Sequence, residues 1–183
     1  MAKPVIEPAK LEVNVLDIKI IIAVGICVLT STILNAFDIK FHYGEMQLDI
    51  IQKATAAISC LLCVQDNVGA SKGAGWMRIK VTAMAAIAAL VVVSIDSLIG
   101  NQWLSVVLLM FGVLLTMFLC KLIKAPYMNC RIGAISYVLI AVTLSSQARI
   151  VYAIFRVVST VYGVLVVIFV TWLFGLFTNK KTI

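Results

Sequence analysis

The last apolar run of the chain carries the residues whose types and spacing best suit chemistry. Arg149 and Arg156 stand seven residues apart at its start, and Ser159, Thr160 and Gly163 follow. Because seven residues make nearly two helical turns, both guanidinium groups project from one face, and the later residues continue that stripe. Guanidinium groups present forked pairs of donors that fit carboxylates. The spacing therefore indicates a face that could bind an organic anion.

Two other segments place cations or hydroxyls within apolar sequence. Arg78 is followed four residues later by Thr82, so both lie on one predicted helix face. In the second apolar run, Lys53 could pair with Asp49, four residues earlier. Polar residues in this run also recur at helical spacing as Gln52, Thr55, Ser59 and Cys63. The candidate residues of a substrate path are Arg156, Thr160, Gly163, Arg149, Arg78, Thr82, Lys53 and Ser59.

Each candidate also has a purely structural interpretation. Serine and threonine in membrane helices commonly bond to their own backbone or to a neighbouring helix. Arg149 fits the level of the lipid headgroups, and Arg156 could reach the same level with its long side chain. The sequence alone leaves these alternatives open.

The sequence favours neither an enzyme nor a metal protein. His42 is the single histidine, it has no partner serine or cysteine in a catalytic pattern, and no two carboxylates cluster. Cys60 and Cys63 have the spacing of a metal-binding pair, but no second pair follows. We therefore expect the five cysteines to pack, and we expect no catalytic residue, no bound metal and no cofactor.

The composition predicts a protein embedded in lipid. Of its 183 residues 63% are hydrophobic and 13% are charged, whereas soluble domains are about half apolar and about a quarter charged. The net charge of +7 does not indicate a nucleic-acid partner, because excess Lys and Arg in membrane proteins lie mainly in cytoplasmic loops. The predicted surroundings are the lipid bilayer, and the predicted location is the plasma membrane.

Six apolar runs predict an all-α, polytopic fold. Helices are expected because every backbone polar group in lipid needs an internal partner. A transmembrane domain at 17–177 would lie between an N-terminal tail at 1–16 and a basic tail at 178–183, and the glycine-bearing segment 66–80 predicts a cytoplasmic turn. The runs are at about 18–37, 48–64, 81–95, 103–122, 132–144 and 149–177; the third could start at Trp76, and the fifth could include Tyr127 and Met128.

The distribution of Lys and Arg predicts the orientation. If the N-terminus is cytoplasmic, eleven of the fifteen basic residues fall on the cytoplasmic side and four on the other. The positive-inside rule then favours cytoplasmic placement of both termini, which an even number of spans allows.

Residues 54–93, ATAAISCLLCVQDNVGASKGAGWMRIKVTAMAAIAALVVV, resemble the second-to-third span region of the aromatic acid exporter and fusaric acid resistance permeases. The positions that match are Gln65, Ser71, Arg78 and Thr82, while Val81 stands where the family often has glycine. The closing segment AIFRVVSTVYGVLVVIFVTWL is similar to the last span of the family. Its matching positions are Arg156, Thr160 and Gly163.

This resemblance extends over about 17–175 and implies a six-helix unit that exports organic, often aromatic, carboxylic acids. More distantly, the chain is similar to the plant aluminium-activated malate transporters, in which two six-helix subunits form an anion path. Many family members carry a cytoplasmic C-terminal domain or a second six-helix half. With six runs in 183 residues, this chain is expected to assemble as a homodimer or larger homo-oligomer, with a small organic anion as substrate.

Two functions of other classes stay open at this point. The chain could be a non-transporting scaffold or regulatory subunit of a larger complex, and a separate accessory subunit would fit that interpretation. It could also be the small-molecule-capturing subunit of an importer, since such subunits are also small six-helix proteins. A stoichiometric unrelated partner would favour the first, and tight ligand binding by the isolated chain would favour the second.

Overall fold

The computed structural model describes residues 14–38, 40–43, 46–99, 102–143 and 148–179. Its elements are α1 (Val15–Ala36), β1 (Lys40–Tyr43), β2 (Met46–Asp49), α2 (Lys53–Cys63), α3 (Val68–Ile99), α4 (Gln102–Leu122), α5 (Tyr127–Thr143) and α6 (Ala148–Asn179). The fold is thus all-α apart from one short hairpin, which confirms the predicted class and the six helices. The predicted tails 1–16 and 178–183 lie almost entirely outside the described residues.

The six helices differ in their ability to cross a membrane. Helices α1, α3, α4 and α6 are long and apolar enough to do so. Helix α2 has 11 residues and α5 has 17, which correspond to about 17 Å and 26 Å, against a hydrocarbon core of about 30 Å. The chain is therefore a multi-pass membrane protein in which α2 is much too short to span the bilayer alone.

A continuous helix over 48–64 was the wrong prediction for the second run. Residues Met46–Asp49 instead form β2, which pairs antiparallel with β1, and the helix begins only at Lys53. In 40–49 apolar and polar residues largely alternate, which is a strand pattern, and only the last two of these positions belong to the predicted run. Asp49 therefore lies in a strand, and the expected pairing with Lys53 along one helix does not exist.

The turn predicted at 66–80 is wrong for most of its length. Helix α3 begins at Val68, and Asn67 caps it, because the Asn67 side-chain oxygen accepts a hydrogen bond from the backbone N–H of Ala70 at 2.7 Å. Of the glycines in this segment, Gly75 allows close packing, whereas nothing lies within 4 Å of the Cβ position at Gly73. At Gly75 a Cβ atom would overlap the side chain of Val164. Only 64–67 remain as a connection between α2 and α3.

Helices α3 and α6 form the central pair of the bundle. They run antiparallel, since Ser71 faces Thr171 and Gly75 faces Val164. Helices α1 and α2 pack on the α6 side, and α4 and α5 pack on the α3 side. Buried Ala, Val and Cys side chains fill both halves of the core.

Small residues set the closest helix contacts. A Cβ atom at Gly163 of α6 would lie 2.8 Å from the carbonyl oxygen of Ala56 in α2, and a Cβ atom at Gly133 of α5 would lie 2.8 Å from Val81 Cγ1 of α3. Gly133 thus allows α5 to approach α3 closely. All five cysteines are buried, and the thiols of Cys27 and Cys60 meet at 3.3 Å between α1 and α2.

We predict opposite effects of two glycine-to-alanine substitutions. Gly163→Ala should lower stability by about 1–3 kcal/mol, because the new methyl group meets the backbone of α2 rather than a movable side chain. Gly25→Ala should be neutral or should stabilise by up to about 1 kcal/mol, because nothing lies within 4 Å of that position in the interior of α1. Thermal unfolding of the two purified variants in detergent measures both changes in stability. An unchanged melting temperature of Gly163→Ala would contradict the packing described.

Candidate functional site

Polar side chains from neighbouring helices complete the hydrogen bonds at the start of α2. The Ser31 hydroxyl of α1 donates to the Ile51 carbonyl at 2.9 Å. The backbone N–H of Gln52 donates to Ser159 Oγ of α6 at 2.8 Å, and Gln52 Nε2 donates to the Tyr152 carbonyl at 3.2 Å. Non-helical backbone at membrane depth needs such partners from the protein. These hydroxyls are therefore required by the shortness of α2.

The other end of α2 is completed in the same way. The backbone N–H of Gln65 donates to Ser71 Oγ of α3 at 3.1 Å. Lys19 of α1 is buried, and its ammonium group donates to the Asp66 carbonyl at 2.9 Å. Ser71 also meets Thr171 Oγ1 of α6 at 3.5 Å. We name the two ends of the bundle the Lys19 end and the Arg149 end.

Arg156 lies inside the bundle with few partners. Its side chain is only 4% exposed. Its Nη1 lies 3.5 Å from the Tyr152 hydroxyl, which is a long hydrogen bond, and its Nε has no hydrogen-bond partner. The Thr160 hydroxyl donates to the Arg156 carbonyl at 2.9 Å, as the structural interpretation of such threonines expects.

Arg78 of α3 is equally buried and lacks still more partners. It is 6% exposed, and its Nε and Nη1 have no hydrogen-bond partner. One turn later, Thr82 is 1% exposed and its hydroxyl is also unpaired. Arg156 is near enough to Arg78 for the two positive charges to repel each other. Within the described ranges, no carboxylate forms an ion pair with either arginine.

The other candidate residues have different surroundings. Arg149 forms an ion pair with Asp96 of α3 at 3.0 Å. Lys53 is exposed, and Gly163 contacts the backbone of α2. The Ser59 hydroxyl is buried and donates to the Thr55 carbonyl of its own helix. The structure thus brings Arg78, Thr82 and Arg156 together and leaves Lys53 outside.

Buried or half-buried cations follow one another along the bundle. On α6, Arg149 and Arg156 are separated by about 10 Å along the axis. Since Gly75 faces Val164, Arg78 lies between Arg156 and the Lys19 end. Lys19 is the last member, near the level of Thr171. This column of four cations extends over roughly 30 Å, the thickness of a hydrocarbon core.

A cavity lies at each end of the column. At the Arg149 end, a cavity of about 180 Å³ is lined by Asp96, Ser105, Tyr137 and Arg149 together with apolar side chains. At the Lys19 end, a cavity of about 480 Å³ is lined by Lys19, the start of α3 and the last turns of α6. Arg78 and Arg156 lie between these cavities and line neither of them. A cation thus borders each cavity, and the two arginines between the cavities carry unpaired donors.

Six helices in the described residues, four of them long and apolar enough to span a bilayer, define a polytopic membrane protein. Residues 41–170 match the family model described as fusaric acid resistance protein-like. This match covers well over half of the chain, so the chain belongs to that family, as its resemblance to the fusaric acid resistance permeases predicts. Comparison with curated proteins and with solved structures gives no match.

Sequence reasoning identified the arginines but missed two of their neighbours. The ion pair of Asp96 with Arg149 joins residues 53 positions apart. Its only signal was that both residues lie at the same predicted end of their runs. Tyr152, which meets Arg156, stands one turn before it in the sequence, so the helical spacing alone could have found it.

We predict that the hydroxyls at the start of α2 matter for stability. Ser159→Ala should destabilise the protein by about 1–3 kcal/mol, because the backbone N–H of Gln52 loses its acceptor inside the bundle. Thr32→Ala is the matched control, since Thr32 is exposed and donates only to the Val28 carbonyl of its own helix, and its effect should stay within about 0.5 kcal/mol. The two variants are compared by their melting temperatures in the same detergent. Equal melting temperatures would exclude this role of Ser159.

Proposed function

We propose that this protein is an exporter-like permease for organic, including aromatic, carboxylate anions, which move along the column of Lys19, Arg78, Arg156 and Arg149. Membership of the fusaric acid resistance protein-like family indicates a membrane transporter of the exporter type. The choice of a carboxylate as the transported species rests on the chemistry of the buried arginines.

One observation carries this proposal: Arg78 and Arg156 are buried near each other with unpaired N–H groups and no counter-charge among the described residues. An isolated buried charge is costly unless it is paired and hydrogen-bonded. Two repelling cations in one core increase that cost. A membrane protein that keeps both of them has a site that an anion would stabilise.

A carboxylate fits the unpaired donors better than a spherical anion does. Its two oxygens can accept hydrogen bonds from a guanidinium fork, and a hydroxyl can donate a further one. Arg78 offers Nε and Nη1, and Thr82 offers its hydroxyl on the same face of α3. Arg156 offers Nε from the facing helix. An anion at this level would therefore bridge α3 and α6, the central pair of the bundle.

The remaining parts of the proposal concern assembly and direction. We place the Lys19 end at the cytoplasm, because the distribution of Lys and Arg favours it, and export then runs from Lys19 towards Arg149. The large exposed apolar faces of α1 and α4 offer surfaces for lipid and for other copies of the chain. We propose a homodimer or larger homo-oligomer in the plasma membrane, with room for an accessory subunit.

Flux from vesicles that contain only the purified full-length chain tests the function. The vesicles would be loaded with radiolabelled phthalate, an aromatic dicarboxylate, or with malate, an aliphatic one. Both are dianions near pH 7.5 and cross bare lipid poorly, and rubidium serves as the cation control. Saturable carboxylate efflux without rubidium efflux is the expected result. Flux no greater than that from loaded vesicles without the protein would refute transport by the chain alone. It would favour a scaffold or a subunit of a larger complex.

We predict that Arg156→Met abolishes carboxylate efflux without loss of stability. Methionine keeps much of the length of the side chain and removes a buried charge that lacks full pairing, so the melting temperature should stay the same or rise. Arg131→Met is the matched control, because Arg131 is exposed and lies over the ring of Tyr127, and its efflux should equal that of the unmodified protein. Full efflux by a stably folded Arg156→Met protein would contradict the proposed path.

A further inference from the structure

A groove on the outer surface of the bundle follows the contact between α3 and α6. It extends from Lys72 to Ile79 on α3 and from Ile168 to Val161 on α6, which is about 10 Å along each helix. Its volume is about 330 Å³, and apart from Lys72 its lining is apolar. The groove therefore has the shape and lining to hold a narrow apolar chain that runs along the helix axes.

Two lysines carry positive charge at this groove. Lys72 lines it directly. Lys80 stands two turns further along α3, and its ammonium nitrogen lies 5.4 Å from the centre of the Trp76 ring, which also lines the groove. Since the side chains of a helix lean towards its N-terminus, Lys80 reaches back along α3 towards the Lys19 end. A lysine that extends from the apolar part of a membrane to the headgroups has this direction.

Neither of these two lysines has a counter-charge in the described part of the chain. Both are exposed, and no carboxylate there forms an ion pair with either of them. Helix α3 carries one carboxylate, Asp96, which lies about 24 Å from Lys80 along the axis and pairs with Arg149. Helix α6 carries none. The group that neutralises the lysines therefore has to come from outside the described residues.

A phospholipid with an anionic headgroup matches both features of the groove. Its acyl chain can lie against the apolar walls, and its phosphate oxygens can accept hydrogen bonds from the two ammonium groups. Exposed tryptophan side chains such as Trp76, which is 60% exposed, are enriched at the level of the headgroups. Basic pockets between membrane helices are also known to bind anionic headgroups. A zwitterionic lipid fits less well, because its own cation would be repelled by the lysines.

We propose that the α3–α6 groove binds one anionic phospholipid, with the headgroup at Lys72 and Lys80 and an acyl chain along Leu165. The proposal goes beyond the proposed function, because these residues face outwards whereas Arg78 of the cation column is buried. It does not require transport. The lipid would contact both helices of the central pair and so stabilise the contact between them.

Native mass spectrometry of the full-length protein in detergent tests the site. The probes are palmitoyl-oleoyl phosphatidylglycerol, which is anionic, and the phosphatidylcholine with the same chains, which is zwitterionic. The unmodified protein should bind one phosphatidylglycerol molecule more tightly than phosphatidylcholine. The double variant Lys72→Gln/Lys80→Gln should raise the Kd for phosphatidylglycerol roughly thirtyfold, at about 1 kcal/mol for each lysine, and should remove the preference between the lipids.

The matched control is the double variant Lys121→Gln/Lys124→Gln. It removes the same charge from two exposed lysines at the end of α4, and the Kd should not change. A third variant, Leu165→Trp, fills the groove and keeps both of its lysines. Leu165 is 59% exposed, so the fold should tolerate the change. The Kd for phosphatidylglycerol should rise about fivefold, the equivalent of about 40 Å² of lost apolar contact.

The outcomes separate a specific site from a general lipid annulus. Equal affinities of the unmodified protein for the two lipids would overturn the proposal, and so would equal losses in the two double lysine variants. An unchanged Kd for Leu165→Trp would show that no chain lies in the groove. If Leu165→Trp instead separated an oligomer into single chains without changing the Kd, the groove would belong to a second copy of the protein, which also overturns the proposal.

Discussion

The structure depends on the fact that α2 is too short to cross the bilayer by itself. An 11-residue helix leaves extended backbone at both of its ends, and each polar group there needs a partner inside the protein. Ser31, Ser159, Ser71 and Lys19 supply those partners from α1, α6 and α3. The positions of these four polar side chains thus follow from the shortness of α2. The same bonds connect α1, α3 and α6 through α2.

The two buried arginines differ from these other polar residues in their hydrogen bonding. Hydroxyls such as those of Ser59 and Thr160 are satisfied by their own helices, and Lys19 is satisfied by a carbonyl. Arg78 and Arg156 keep unpaired donors in the central α3–α6 contact, where they contribute no evident stability. Cations that a fold does not need are the ones expected at a site for a ligand. The unpaired donors, rather than burial alone, distinguish the arginines of the proposed path from the polar residues that serve the fold.

Discontinuous helices are also the places where transporters commonly bind ions and substrates. Here α2 packs against α6 at Gly163, and the thiol of Cys60 meets the Gly163 carbonyl at 3.5 Å. A movement of α2 would therefore shift α6, the helix that carries Arg149 and Arg156. The short helix thus couples the positions of α1, α3 and α6 to the column of cations.

Sequence reasoning went furthest where the physical rule acts locally. Apolar content predicted a membrane protein of six helices, and helical spacing predicted that Arg78 and Thr82 share a face, because lipid leaves the backbone no alternative to helix. The tertiary structure decided the remainder. A hairpin formed before the second run, whose helix began only at Lys53. Helix α3 began at Val68 instead of after a turn, and Asp96 met Arg149 across 53 residues. Such contacts depend on how helices pack against each other, and the spacing along a single segment carries no information about that.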